Sequence, residues 1–133
     1  MAAGPLRAEP ADAGESEGPK QRGASRLRDA SNASLALESR FDLAYGAAHP
    51  MALAALRHAG FRPRQQRYIV FQVLPHTLGL APEVWRVLAK CHEVRNLAEY
   101  EGELNISERL VTDLLDACNA VAVALDSLPP LQH

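Results

Sequence analysis

A chain of 133 residues with a formal charge of −2 has the size of one domain, and its near balance of charge argues against holding nucleic acid by bulk charge alone. Aromatic residues make up only 5%, so Ala, Leu and Val must carry the core, a composition that favours helices over sheets. The two cysteines, Cys91 and Cys118, exclude a disulfide framework. No Cys or His pair has zinc-ligand spacing, and no run reaches the length of a membrane span. The expectation is a cytoplasmic protein with no metal and no cofactor, with both thiols packed as small hydrophobes.

Residues 1–23 are rich in Ala, Gly, Pro, Glu and Ser and lack an apolar period, so they predict a disordered tail. A helical domain is expected over 24–128 and a short C-terminal tail over 129–133. A first short helix is predicted from Ser25 to Asn32. A longer one follows over 35–59, with Leu37, Phe41, Ala44, Tyr45, Ala48, Met51, Ala52, Ala55 and Leu56 as its apolar stripe. Pro50 removes a backbone donor inside that stripe, so a kink near Ala47 or a break is predicted. Gly60 is a natural stop.

The run Tyr68-Ile69-Val70-Phe71-Gln72-Val73-Leu74 has strand-forming residue types, but it does not alternate and has no evident partner strand. Helix is the reading adopted, distorted at Pro75. The next helix starts at Pro82, with Glu83 suited to its positive end, and stops at Gly102. Its stripe is Val84, Val87, Leu88, Cys91 and Ala98. The last starts near Asn105, where Asn105 and Glu108 have capping-box spacing, and buries Leu110, Leu114, Cys118, Val121 and Leu125. The fold class is therefore all-α: an up-and-down bundle of four or five helices joined by short connections.

Residues able to do chemistry crowd one stretch, Cys91 to Gly102. His92, Arg95, Asn96 and Glu99 stand at i, i+3, i+4 and i+7 and share a helix face. Tyr100 follows Asn96 by four. Arg95 also continues the apolar stripe, so it needs a carboxylate partner or a wet cleft. Glu99, Glu38 and Asp42 are the candidate partners. Two readings compete. In one, the patch is an internal ion-pair network that sets helix register. In the other it is a cleft for phosphate or ribose: the planar fork of Arg95 takes a phosphate, Asn96 orients a ligand or water, and Tyr100 or His92 exchanges a proton.

The stretch Arg95-Asn96-Leu97-Ala98-Glu99-Tyr100 resembles the signature of the HEPN superfamily, the higher eukaryote and prokaryote nucleotide-binding domains. Some bacterial members show an arginine followed by an Ala-acid-Tyr ending, and this chain looks like those. The stretch Arg40-Phe41-Asp42-Leu43-Ala44-Tyr45-Gly46-Ala47-Ala48 is similar to the family's second helix, and the likeness extends over about residues 26–125. The resemblance implies a homodimeric helical bundle whose motif helices meet across the dimer. It also implies a place in a bacterial toxin–antitoxin or defence-type system, with a nucleotidyltransferase or antitoxin as partner. Active relatives cleave RNA without metal, using the arginine and a histidine. Arg95 and Asn96 match that pattern. The histidine has no counterpart, and Tyr100 stands near its place.

Tyrosine is a poor base near neutral pH, with a reference pKa of about 10, so binding of RNA or a nucleotide is expected ahead of cleavage. Arg95, Tyr100 and His92 are the candidates for any catalysis, and Arg95, Asn96 and Glu99 for binding. A non-catalytic interaction or dimerisation domain is the alternative. Arg57, Arg62, Arg64 and Arg67, with His58, form a basic cluster. It reads as solvated loop charge, as an RNA-backbone contact with Tyr68 stacking a base, or as a partner across a dimer for Glu93, Glu99, Glu101, Glu103 and Glu108. His49 and His76 read as packing histidines, and Trp85 as an anchor for the start of its helix.

Overall fold

The computed structural model describes residues 6–63, 69–102 and 106–129. In chain order these form strand β1 (Leu6–Ala8), helix α1 (Ala13–Ala30), α2 (Leu37–His58), strand β2 (Phe61–Pro63), the short helices α3 (Ile69–Gln72) and α4 (Leu74–Thr77), then α5 (Pro82–Glu101) and α6 (Glu108–Asp126). The chain is mostly helical. A two-stranded antiparallel ribbon, with Leu6 opposite Pro63 and Ala8 opposite Phe61, lies outside the all-α expectation.

Helix α1 corrects the expected tail of residues 1–23, most of which it and β1 occupy. Its buried positions are Ser16, Pro19, Gly23, Leu27 and Ala30, spaced by three or four. This is a helical stripe, but Leu27 is its one large apolar residue, so no hydrophobic period marks it. Asp12 caps the N-terminus by accepting from the Glu15 N–H at 3.0 Å. The small residues permit a close approach. A methyl group on Gly23 would lie 2.3 Å from Met51 Cγ and 3.0 Å from the Ala47 carbonyl oxygen.

Ser16 meets Ala54, Gly23 meets Met51, Arg26 meets Gly46 and Ala30 meets Arg40. Early residues of α1 thus face late residues of α2, which makes the two an antiparallel hairpin. Contacts of Tyr45 with His92 and of Asp42 with Arg95 set α5 antiparallel to α2 in the same way. Lys20 pairs with Asp126 at 3.2 Å, joining the start of α1 to the end of α6. The core is filled by Phe41, Met51, Leu56, Phe71, Leu74, Leu88, Val111, Leu114 and Val121.

Pro50 does not break α2, which runs unbroken from Leu37 to His58. Proline takes away the N–H that would bond the carbonyl four residues back, here Gly46. Arg26 of α1 supplies the missing donor, at 3.0 Å from the Gly46 oxygen. Arg40 Nε likewise serves the carbonyl of Ala30 at the end of α1, at 3.1 Å. From Ile69 on, the ambiguous run is helical and turns at Val73, so that Val70, Phe71 and Leu74 reach the core. Pro75 falls in the first turn of α4.

Helix α5 has Pro82 at its start, and Gly102 ends it in a left-handed conformation, φ 77°, with its N–H on the Ala98 carbonyl at 2.9 Å. Helix α6 is capped by Ser107, whose hydroxyl accepts from the Leu110 N–H at 3.1 Å. The cap is thus two residues later than expected, and Asn105 lies outside the described residues.

Candidate functional site on the face shared by α2 and α5

Helix α5 is anchored by its first half. Leu88 and Cys91 are fully buried, and Val84, Trp85, Val87 and Val94 pack against the core. Arg95 does not continue this stripe. Val94 takes the inward place, and Arg95 turns toward α2 with its side chain 44% exposed. Its guanidinium forms an ion pair and hydrogen bond with Asp42 and stands 5.9 Å from the centroid of the Tyr45 ring. Asp42, rather than Glu99, is the carboxylate partner.

Tyr45 is the residue that joins the patch together. Its ring stacks on Phe41, 6.2 Å away with 2° between the planes, and meets Phe71 edge-on at 6.3 Å. Its hydroxyl lies 2.7 Å from His92 Nδ1. Sequence reasoning put Tyr45 among the core residues and missed this role. The signal was available: a tyrosine in an apolar stripe brings a hydroxyl that needs a partner. Asp42, Tyr45, His92 and Arg95 therefore form one polar group, two residues from each helix.

The remaining candidates do not converge on it. Asn96 and Glu99 are exposed, and Tyr100 is 93% exposed. Five helical residues separate Arg95 from Tyr100, a rotation of about 140° around the axis. One copy of the chain thus presents arginine and tyrosine on different sides of α5.

The basic cluster is also redistributed. Arg57 is only 2% exposed and is a structural clamp. It donates to the carbonyls of Pro10 at 2.8 Å and of Glu9 and Phe61 at 3.2 Å each. The carboxylates of Glu9 and Glu15 lie 3.4 Å from its guanidinium. Arg62 donates to Glu9 at 2.7 Å and pairs with Glu15. Hydrogen bonding to Arg62, opposed by some desolvation and aided by the charges of Arg62 and Arg57, holds the Glu9 carboxyl below its usual range. Hydrogen bonds to Glu9 and Glu15 raise Arg62. Arg57 and Arg62 are thereby engaged with the N-terminal segment. Arg64, Arg67, Tyr68 and Glu103 lie outside the described residues.

Burial pushes the thiols of Cys91 and Cys118 up to about 12, so neither is a thiolate near neutral pH. Cys118 instead donates to the Ala44 carbonyl at 3.3 Å. His49 packs edge-on against Phe71, 6.2 Å away. Among the described residues no group of His, Cys, Asp and Glu is arranged to hold a metal ion, and no helix is long and apolar enough to cross a membrane.

A cavity of about 410 Å³ opens between the start of α1 and the end of α6, lined by Ser16, Lys20, His58, Asp126 and Leu128 among others. It shares no residue with the α2–α5 patch. Two of its polar contacts are already made within the protein, Lys20 with Asp126 and His58 Nε2 with the Pro129 carbonyl at 2.7 Å. Comparison with protein-family models, with curated proteins and with solved structures gives no match.

Proposed function

We propose that the chain is a HEPN-like module that engages RNA or a nucleotide through the α2–α5 face, within a bacterial toxin–antitoxin or defence-type system, and that it binds rather than cleaves. The observation that carries this reading is the setting of Arg95, half-exposed beside Asn96 and backed by the Tyr45 ring. A guanidinium in that setting keeps donors within reach of an incoming phosphate. Its present partner is a surface carboxylate, and such exposed pairs contribute only about 0–1 kcal/mol, so a phosphate oxygen pair can replace it. Binding is favoured over cleavage because a base and an acid must both reach the reacting atoms. His92 is hydrogen-bonded to Tyr45, and Tyr100 points away from Arg95 within one copy.

The test is labelled RNA with wild type and Arg95→Ala, scoring binding and cleavage together in EDTA. The expected result is binding that Arg95→Ala abolishes, with no cleavage and an unchanged melting temperature. Cleavage lost in the variant would instead make the protein a metal-independent ribonuclease.

A second reading, a non-catalytic interaction or dimerisation domain, is favoured by Leu97 and Tyr100, which are 56% and 93% exposed on the same half of α5. In that case Arg95 and Asp42 brace α5 for a homodimer, or for an antitoxin or nucleotidyltransferase partner. Arg95→Ala would then lower thermal stability or dissociate the assembly, with no RNA binding to lose.

A further inference from the structure

We propose that Asp42 is an intramolecular competitor for phosphate: its carboxylate occupies the donor face of Arg95 that a phosphate of RNA or of a free nucleotide takes when it binds. This rests on the RNA- or nucleotide-binding reading and adds a regulatory element to the same site.

Arg95 reaches Asp42 through Nη1, one corner of a fork with five N–H donors. The remaining geometry is set from below, with the guanidinium 5.9 Å over the Tyr45 ring and Tyr45 held in turn by Phe41 and His92. The Tyr45 ring thus gives the arginine a second contact besides Asp42, one that a change of anion leaves in place. Both side chains of the pair are about half exposed, 44% for Arg95 and 54% for Asp42, so water screens the pair and exchange of one anion for another is easy. A carboxylate left beside a bound phosphate is a like charge at short range and opposes binding. Asp42 thus sets a threshold: weak single anions are refused, and a ligand bringing several phosphate contacts displaces it.

The experiment measures a labelled oligouridylate by fluorescence anisotropy and ATP by calorimetry, on the full chain. The variants are wild type, Asp42→Asn, Asp42→Ser, Arg95→Ala and the Asp42→Asn/Arg95→Ala double. The expected result is binding about three- to tenfold tighter in both Asp42 variants, as removal of one like charge near the ligand predicts. That gain should vanish in the double variant. Whichever probe shows it identifies the source of the phosphate.

Unchanged or weaker binding in the Asp42 variants, with Arg95→Ala still losing affinity, overturns the inference and leaves the binding reading intact. A gain that persists without Arg95 also overturns it, since bulk charge would then be the cause. Absence of Arg95-dependent binding of either probe, in wild type and Asp42 variants alike, removes the binding reading and the inference with it.

Discussion

Two arginine–carboxylate groups among the described residues, at the N-terminal clamp and on the α2–α5 face, have similar chemistry and opposite settings. At the N-terminal clamp, Arg57 is 2% exposed and its guanidinium faces three backbone carbonyls and two glutamates. At the α2–α5 face, Arg95 is half-exposed and has one carboxylate and one ring. Burial decides the difference. An arginine taken out of water must keep all its partners, because losing any of them leaves a charge that water cannot reach. An arginine at the surface can exchange its partner for a ligand at small cost. The clamp therefore holds β1 and the start of α1 to α2 and β2, whereas the Arg95–Asp42 pair stays in reach of solvent.

The contrast is tested most severely by Arg57→Met. It removes the cation and its hydrogen bonds to the carbonyls of Glu9, Pro10 and Phe61, and leaves Arg62 alone to hold the Glu9 and Glu15 carboxylates. A loss of about 3–5 kcal/mol is expected from breaking a buried ionic group, read from urea unfolding. A loss under 1 kcal/mol would make Arg57 no different from a surface arginine.

Gly23→Ala comes next, since the new methyl group meets Met51 and the Ala47 carbonyl at contact distances too short to hold. Overpacking of this kind costs about 1–3 kcal/mol. Full stability in that variant would mean that α1 can retreat from α2, so the clamp would not be holding a tight hairpin.

Arg95→Ala should change stability by less than about 1 kcal/mol, the usual worth of an exposed pair, while abolishing RNA binding. A large loss of stability would move Arg95 into the same class as Arg57 and favour the interaction-domain reading.

The smallest effect is expected in acid. The folded pKa of Glu9 is depressed, first by its hydrogen bond from Arg62, so Glu9 adds stability above its ordinary value of 4.5. That contribution falls away as the pH drops from 4.5 through the depressed folded value. Glu9→Gln should flatten the acid limb of a melting-temperature profile. Equal slopes for wild type and Glu9→Gln would show that the clamp carboxylate titrates as in the unfolded chain.

How much of this was legible in advance depended on what kind of signal each element carries. Helix α5 announced both ends, Pro82 by its missing donor and Gly102 by its tolerance of positive φ. The stripe of α6 was equally plain, with Leu114, Cys118, Val121 and Leu125 all buried. Helix α1 was hidden because its buried face is Ser16, Pro19 and Gly23, residue types that lower helix propensity in isolation. Only the close approach of α2 makes them favourable. Pro50 misled for a related reason. The lost hydrogen bond is a local fact, and its replacement by Arg26 depends on a neighbour twenty-four residues away.

For the candidate site, local spacing was enough to single out His92 and Arg95 and to place Asp42, with Glu99 and Glu38, among three possible partners for the arginine. It was not enough to separate Arg95 from the core stripe, because a helix offers two inward-leaning positions and packing chooses between Val94 and Arg95. The sequence by itself determined a mostly helical chain, the limits of α5, the apolar faces of α2 and α6, and the one stretch rich in reactive side chains. These follow from periodicity and from the backbone chemistry of proline and glycine, which act within a few residues. Only the tertiary structure decided which arginine is a buried strut and which is half-exposed, because burial and partner count are properties of surfaces that meet after the chain has folded.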